Sequence, residues 1–214
     1  VQCSPDVVGV TTGDRVFSNG GHAEYVVVKA DRAIKLPQSV TDEEASLLSV
    51  ACVALHGVRR GRIEYGDTVA VVGMGLMGQL AIQHARLAGA STTIAVDTDP
   101  VRLEIAKTLG ADHVINPQHD DEEKGISEYT EGTRATANLD PEYGSVIDDG
   151  GADVVLETAG VASAVPVAIK LGRYGARVVI VGWHLQPISL DLAEDPSPCR
   201  ANLRLNQGIL VANA

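Results

Sequence analysis

The sequence predicts an α/β fold: a doubly wound parallel sheet with helices on both faces, preceded by a short all-β segment. Three observations carry this. From residue 67 onward, short runs rich in Val and Ile alternate with stretches of helical spacing, the pattern of parallel strands joined by right-handed helical crossovers. Gly73-Met74-Gly75-Leu76-Met77-Gly78 stands between one such strand and the helix after it. Residues 1–37, by contrast, hold only short β-prone runs and turns. With 214 residues, 45% of them apolar and 21% charged, the chain can bury a core of ordinary globular kind.

Taken in order, the first segment offers Val7–Val10, a turn at Thr12-Gly13-Asp14, Arg15–Phe17, a turn at Ser18–Gly21, then His22–Val28 and Ala33–Leu36. So few strands leave sheet edges open, and residues 1–37 read as part of a larger β domain. Residues 38–61 form the link. There Thr41-Asp42-Glu43-Glu44 is a capping box ahead of apolar positions at helical spacing, predicting a helix over about 42–60, broken at most once.

The α/β domain occupies 62–214. Val69–Val72, Thr93–Val96, His113–Ile115, Asp153–Glu157 and Arg177–Val181 are its expected strands. Leu76–Leu87, Pro100–Leu109 and Ala162–Leu171 are its expected helices, the second framed by Asp99 as N-cap, Pro100 at the first helical position and Gly110 beyond the end. Residues 118–150 interrupt the alternation. They hold ten acids and two bases, net −8 of the chain's −11, and read as an exposed acidic loop inserted between two strands.

The same charge argues against nucleic-acid partners, since a phosphate backbone selects clustered Lys and Arg. No run approaches the roughly 18 apolar residues of a spanning helix, which excludes that class of membrane partner. Three cysteines at 3, 52 and 199 share no ligand-type or disulfide-dense spacing, so a cytoplasmic setting is expected. The chain opens on Val1, and its only methionines are Met74 and Met77, so it reads as a fragment or as the product of an unusual start.

The glycine loop carries the chemistry. Gly73 permits the tight turn out of the strand, Gly75 lets backbone approach a pyrophosphate, and Gly78 lets helix and sheet pack closely. Free N–H groups at the helix start face the anion. Asp97, ending the next strand, is placed to accept from the ribose hydroxyls and selects NAD over NADP, because a 2′-phosphate there meets a like charge. Arg102 is the residue that could offset that repulsion. A Rossmann domain binding NAD is the expectation.

These residues resemble the medium-chain dehydrogenase/reductases, the superfamily of zinc alcohol dehydrogenases and their zinc-free relatives. Gly13-Asp14-Arg15-Val16 and Gly21-His22-Ala23-Glu24-Tyr25 look like the end of that family's GroES-like domain. Leu36-Pro37, His56–Arg60 and Gly66-Asp67-Thr68-Val69 look like its passage into the cofactor domain, and Gly151–Val155 with Gly175–Val179 like its fourth and fifth strands. The resemblance implies hydride transfer between an alcohol and its ketone or aldehyde, with a small-molecule substrate and a homodimer formed through the Rossmann domain. The cofactor-binding set it implies, beyond Gly73, Gly75, Leu76, Met77, Gly78, Asp97 and Arg102, adds Thr158 and Ala159 after the fourth strand and Val181 and Gly182 after the fifth.

It also implies gaps. The family's GroES-like domain begins upstream of Val1, and the family continues beyond Ala214 through a further strand and helices. A zinc-ligand position falls on Ser49, a poor ligand, so zinc is not expected in this chain. Cys52 reads as a small buried helix residue. Ser49 and His56 are the candidates for proton handling. His184 is a candidate substrate contact, and His22 reads as a structural strand residue. The rival reading is a truncated, inactive remnant that still holds NAD.

Overall fold

The computed structural model describes residues 1–4, 6–120, 122–130, 150–185, 187–188, 202–206 and 209–213. The chain divides into two compact units, Val1–Cys52 and Val53–Ala214.

In the first unit, β1 (Val16–Phe17) pairs antiparallel with β2 (Ile34–Lys35). Lys35 reaches Asp14 at 2.8 Å. That ammonium, with the Thr11 N–H donating to the same carboxylate, lowers the Asp14 pKa to about 2. Arg15 bonds Asp42 through Nε and Nη2 at 3.0 and 2.6 Å and caps the Val40 carbonyl. The strands expected at Val7–Val10 and His22–Val28 are absent. No neighbouring strand among the described residues supplies their ladder bonds, and Val8, Tyr25 and Val27 stand exposed, so β propensity alone does not make a strand there. His22 is accordingly an exposed bend residue rather than part of a strand.

The capping box forms as expected: Thr41 Oγ1 accepts from Glu44 N, and Glu44 Oε2 accepts from Thr41 N. It opens α1 (Asp42–Ser46); after a break at Leu47, α2 runs over Leu48–Gly61 and ends on Arg59 and Arg60, whose charges oppose the helix dipole.

The second unit holds a seven-stranded sheet in the order β5-β4-β3-β6-β7-β9-β8. Its strands are β3 (Thr68–Val72), β4 (Thr92–Val96), β5 (His113–Ile115), β6 (Ala152–Glu157), β7 (Gly172–Ile180), β8 (Asn202–Asn206) and β9 (Ile209–Asn213). β3 to β7 are parallel, in the 3-2-1-4-5 order of a doubly wound sheet, and β9 joins β7 antiparallel. The β8–β9 hairpin lies beyond the strands expected from sequence, although Asn-Leu-Arg-Leu-Asn alternates as an edge strand does.

Period-two alternation sorts the core onto the two faces. Val69, Val71, Ala95, Val154, Leu156 and Val179 pack under α3 (Leu76–Ala88), α4 (Pro100–Thr108) and the end of α2. Ala70, Val72, Ile94, Val96, Val155 and Val178 pack under α6 (Ala164–Lys170) and α5 (Glu122–Thr130). Each such buried Val or Ile contributes about 1.5–3 kcal/mol.

Of the segment 118–150, expected as an exposed loop, α5 corrects residues 122–130. Ile126 is buried in the core, the Tyr129 ring stacks on His113 with centroids 4.1 Å apart, and Thr130 Oγ1 accepts from Gly151 N at 2.9 Å. A few apolar residues at helical spacing are enough to seat an acid-rich helix, because its acids can face water. Residues 131–149 of that segment lie outside the described residues.

At the amino ends of the strands, carboxylates tie the sheet together. Asp153 accepts from Thr68 N at 2.8 Å and from Arg173 Nε at 2.6 Å. Asp67 accepts from Glu64 N and from Arg177, which also donates to the Gly61 carbonyl. Asp112 accepts from Thr93 N and Oγ1 and from Arg86. Partial burial works against the Asp112 charge, but the Thr93 and Arg86 bonds outweigh it and hold its pKa below 3.8.

Candidate cofactor site

The register brings the site together. Val72 lies opposite Val96 on one side and Glu157 on the other, and Glu157 lies opposite Ile180. The residues that follow, Gly73, Asp97, Thr158 and Val181, therefore emerge along one carboxyl edge. The ladder continues into them: Gly73 N donates to Val96 O at 2.7 Å, Thr158 N to Val72 O at 2.8 Å, and Val181 N to Glu157 O at 2.8 Å. β4 and β6 flank β3, so the chain reverses its winding direction there and opens the crevice where such sheets hold ligands.

Gly73 turns the chain with φ +92°, and a Cβ on it would come within 2.6 Å of Ala159 N. A Cβ on Gly78 would run into the Gly73 carbonyl oxygen. Gly75 differs: nothing lies within 4 Å of the Cβ it lacks, and as N-cap of α3 it supplies no side-chain bond to the helix. The first-turn N–H groups of Leu76, Met77 and Gly78 thus have neither an intrahelical acceptor nor a cap, beside open space. The cradle suits an anionic oxygen.

Asp97 is nine-tenths buried and oriented from both sides. Its Oδ2 accepts from Met74 N at 2.6 Å and its Oδ1 from Asp99 N at 2.8 Å. Each carboxylate oxygen has about two lone-pair sites, so capacity remains for two hydroxyl donors. Arg102 is exposed, 3.8 Å from Asp97 and 3.5 Å from Asp99. Gln79, buried under the loop, donates to the Met74 and Arg102 carbonyls and so joins α3 to α4.

On the other side, Thr158 Oγ1 lies 2.6 Å from Gly73 O and 3.0 Å from Val72 O, so this hydroxyl braces the loop. Ala159 abuts Gly73, while Val181 is buried and Gly182 packs on Gly160. Sequence reasoning missed Glu157, which is fully buried at the end of β6 and bonded to Gly160 N and to His184. An acid closing the apolar run Asp153–Glu157 was its only signal.

The remaining candidates do not converge. Ser49, Cys52 and His56 are all exposed on α2, so Cys52 is not the buried residue expected. Among the described residues, no three His, Cys, Asp or Glu side chains gather to hold a metal.

A glycine cradle at a helix start, a buried carboxylate just past the next strand and a 3-2-1-4-5 parallel sheet define a dinucleotide-binding protein. Residues 77–209 match the family described as zinc-binding dehydrogenase, and the chain belongs to that family. It is 34% identical to the sorbitol dehydrogenase of Bacillus subtilis (strain 168) over 78% of this chain and 43% of that protein. Galactitol-1-phosphate dehydrogenase from Escherichia coli superposes with TM-score 0.68 at 27% identity, over 85% of this chain and 47% of that one. A zinc-binding-dehydrogenase-like protein of Sinorhizobium meliloti 1021, solved with NADP bound, gives TM-score 0.67 at 31% identity, over 81% and 47%. The chain spans about half the length of the relatives it matches. No helix among the described residues is long and apolar enough to cross a membrane.

Proposed function

We propose that this chain binds NAD(H) in preference to NADP(H) and forms the cofactor half of an alcohol dehydrogenase-type oxidoreductase. The observation that carries the reading is the juxtaposition of the open Gly75 cradle with the buried carboxylate of Asp97. The N–H groups of Leu76, Met77 and Gly78 hold the pyrophosphate, and Asp97 takes the adenosine ribose hydroxyls. Thr158 and Gln79 keep the loop in its binding geometry. Bound NAD supplies the hydride acceptor, so the reaction class is interconversion of an alcohol with its ketone or aldehyde. Arg102 lies beside Asp97 and Asp99, with its charge already engaged, which supports NAD over NADP.

The substrate is a small alcohol or carbonyl compound, and the polyol and sugar-alcohol chemistry named for the relatives supports a hydroxylated one. These relatives favour an oxidoreductase over an inactive remnant. Ser49 and His56 are the candidates for proton handling in this chain. A cytoplasmic homodimer through the second unit completes the proposal. Titrating NADH and NADPH by calorimetry tests it: NADH should bind at least tenfold more tightly, a difference of about 1.4 kcal/mol. Equal or tighter NADPH binding would overturn the role of Asp97.

A further inference from the structure

Glu157 is a carboxylate without solvent, and the expected function leaves it no task. It closes β6, it is fully buried, and its two oxygens serve two different loops. Oε1 accepts from Gly160 N at 2.9 Å, in the loop after β6, and Oε2 meets His184 Nε2 at 2.7 Å, in the loop after β7. Its own carbonyl accepts from both Val181 N and Gly182 N. Above it the loops touch through glycines: a Cβ on Gly182 would lie 2.5 Å from Gly160 N, and one on Gly160 would lie 3.0 Å from Trp183 O. His184 is itself about nine-tenths buried, and its Nδ1 has no partner among the described residues, so the Glu157 bond is what orients the ring.

A carboxylate taken from water costs several kcal/mol unless its bonds are good, which makes this an expensive way merely to close a sheet edge. Its place suggests a use. Asp97 assigns the adenosine ribose to the β4 side of β3, so a dinucleotide crossing the crevice lays its other half toward β6 and β7. The lip on that side consists of residues 158–160 and 181–185, with Trp183 and Leu185 exposed on it.

We propose that Glu157 and His184 are positioning residues for the nicotinamide half of the cofactor: their buried pair clamps the loop after β6 to the loop after β7 and fixes the lip against which that half docks. This rests on the NAD(H) reading above. The clamp acts through the lip, so it contributes to NADH binding and not to the binding of ADP-ribose, which lacks the nicotinamide half.

The test uses the full chain and two probes. Trp183 is the only tryptophan, so quenching of its emission by NADH reports binding at the lip directly, with calorimetry for NADH and ADP-ribose alongside. His184→Ala should weaken NADH about ten- to hundredfold, the range for losing a hydrogen bond to a charged group, while ADP-ribose affinity stays within about twofold. His184→Gln, which can still present a side-chain donor toward Glu157, should restore most of the NADH affinity. Equal loss of both ligands would make the pair a folding element, and loss of neither would make it idle; each result overturns the clamp while leaving the NAD(H) reading intact. A wild-type chain that binds ADP-ribose but not NADH would overturn that reading and the clamp with it.

Discussion

The main-chain N–H of Met74 donates to Asp97 Oδ2 at 2.6 Å, so the carboxylate that ends β4 is built into the glycine loop that follows β3. The occupied lone pairs of Asp97 set loop geometry, and under the proposed NAD(H) reading its free ones take the ribose hydroxyls. Asp97→Ser is expected to reduce NADH affinity by about 1.5–3 kcal/mol, as for a lost charged hydrogen bond, and to narrow the gap to NADPH. Calorimetric titration of both cofactors checks it; an unchanged NADH affinity would remove Asp97 from the site.

Gly75 and Gly78 belong to one motif but should fail differently. A methyl at Gly78 meets the Gly73 carbonyl, so Gly78→Ala should destabilise the fold by about 1–3 kcal/mol, read from urea unfolding. At Gly75 there is room for the methyl in the protein, but under the proposed reading that space belongs to the pyrophosphate. Gly75→Ala should keep the unfolding midpoint and weaken NADH. The reverse pattern would mean that the cradle is misassigned.

Ile126 tests whether α5 is a structural member of the sheet. Truncation of a fully buried isoleucine costs about 2–5 kcal/mol, so Ile126→Ala should lower the urea midpoint clearly. A change below about 0.5 kcal/mol, the level of surface substitutions, would return residues 122–130 to the exposed loop expected from their acidity.

Asp112 gives a pH dependence of known sign. Its folded pKa is depressed, so its contribution is complete above the unfolded value near 3.8 and is lost as pH falls through the folded value. Acid unfolding followed by circular dichroism should show Asp112→Asn less stable at neutral pH, by about 1 kcal/mol given the side chain's partial exposure, with the difference shrinking below pH 3.8. A gap that stays constant down to pH 2 would refute the linkage.

Local signals reached the strands around the glycine loop, both helix caps and Asp97, because each is written in a short stretch: a residue type, a spacing, a breaker. What escaped has other causes. The Glu157–His184 pair joins the ends of two strands, and neither residue alone carries a pattern. α5 was hidden by composition, since its acids outnumber the few apolar positions that seat it. Val7–Val10 and His22–Val28 erred the opposite way, their β propensity being real but without an edge to pair with. The difference lies in whether a decision is local or made by tertiary neighbours.

The carboxylates that bind the strands at their amino ends, Asp67 to Arg177 and Asp153 to Arg173, lie at the end opposite the crevice. Under the proposed function, exposed residues of the lips can change, and with them the nucleotide or alcohol accepted, while these ion pairs at the opposite end stay in place. A cofactor-switching library restricted to the exposed residues Thr98, Arg102, Trp183 and Leu185 should for the same reason return mostly soluble proteins, and a thermostabilising one is better aimed at the far rim of the sheet.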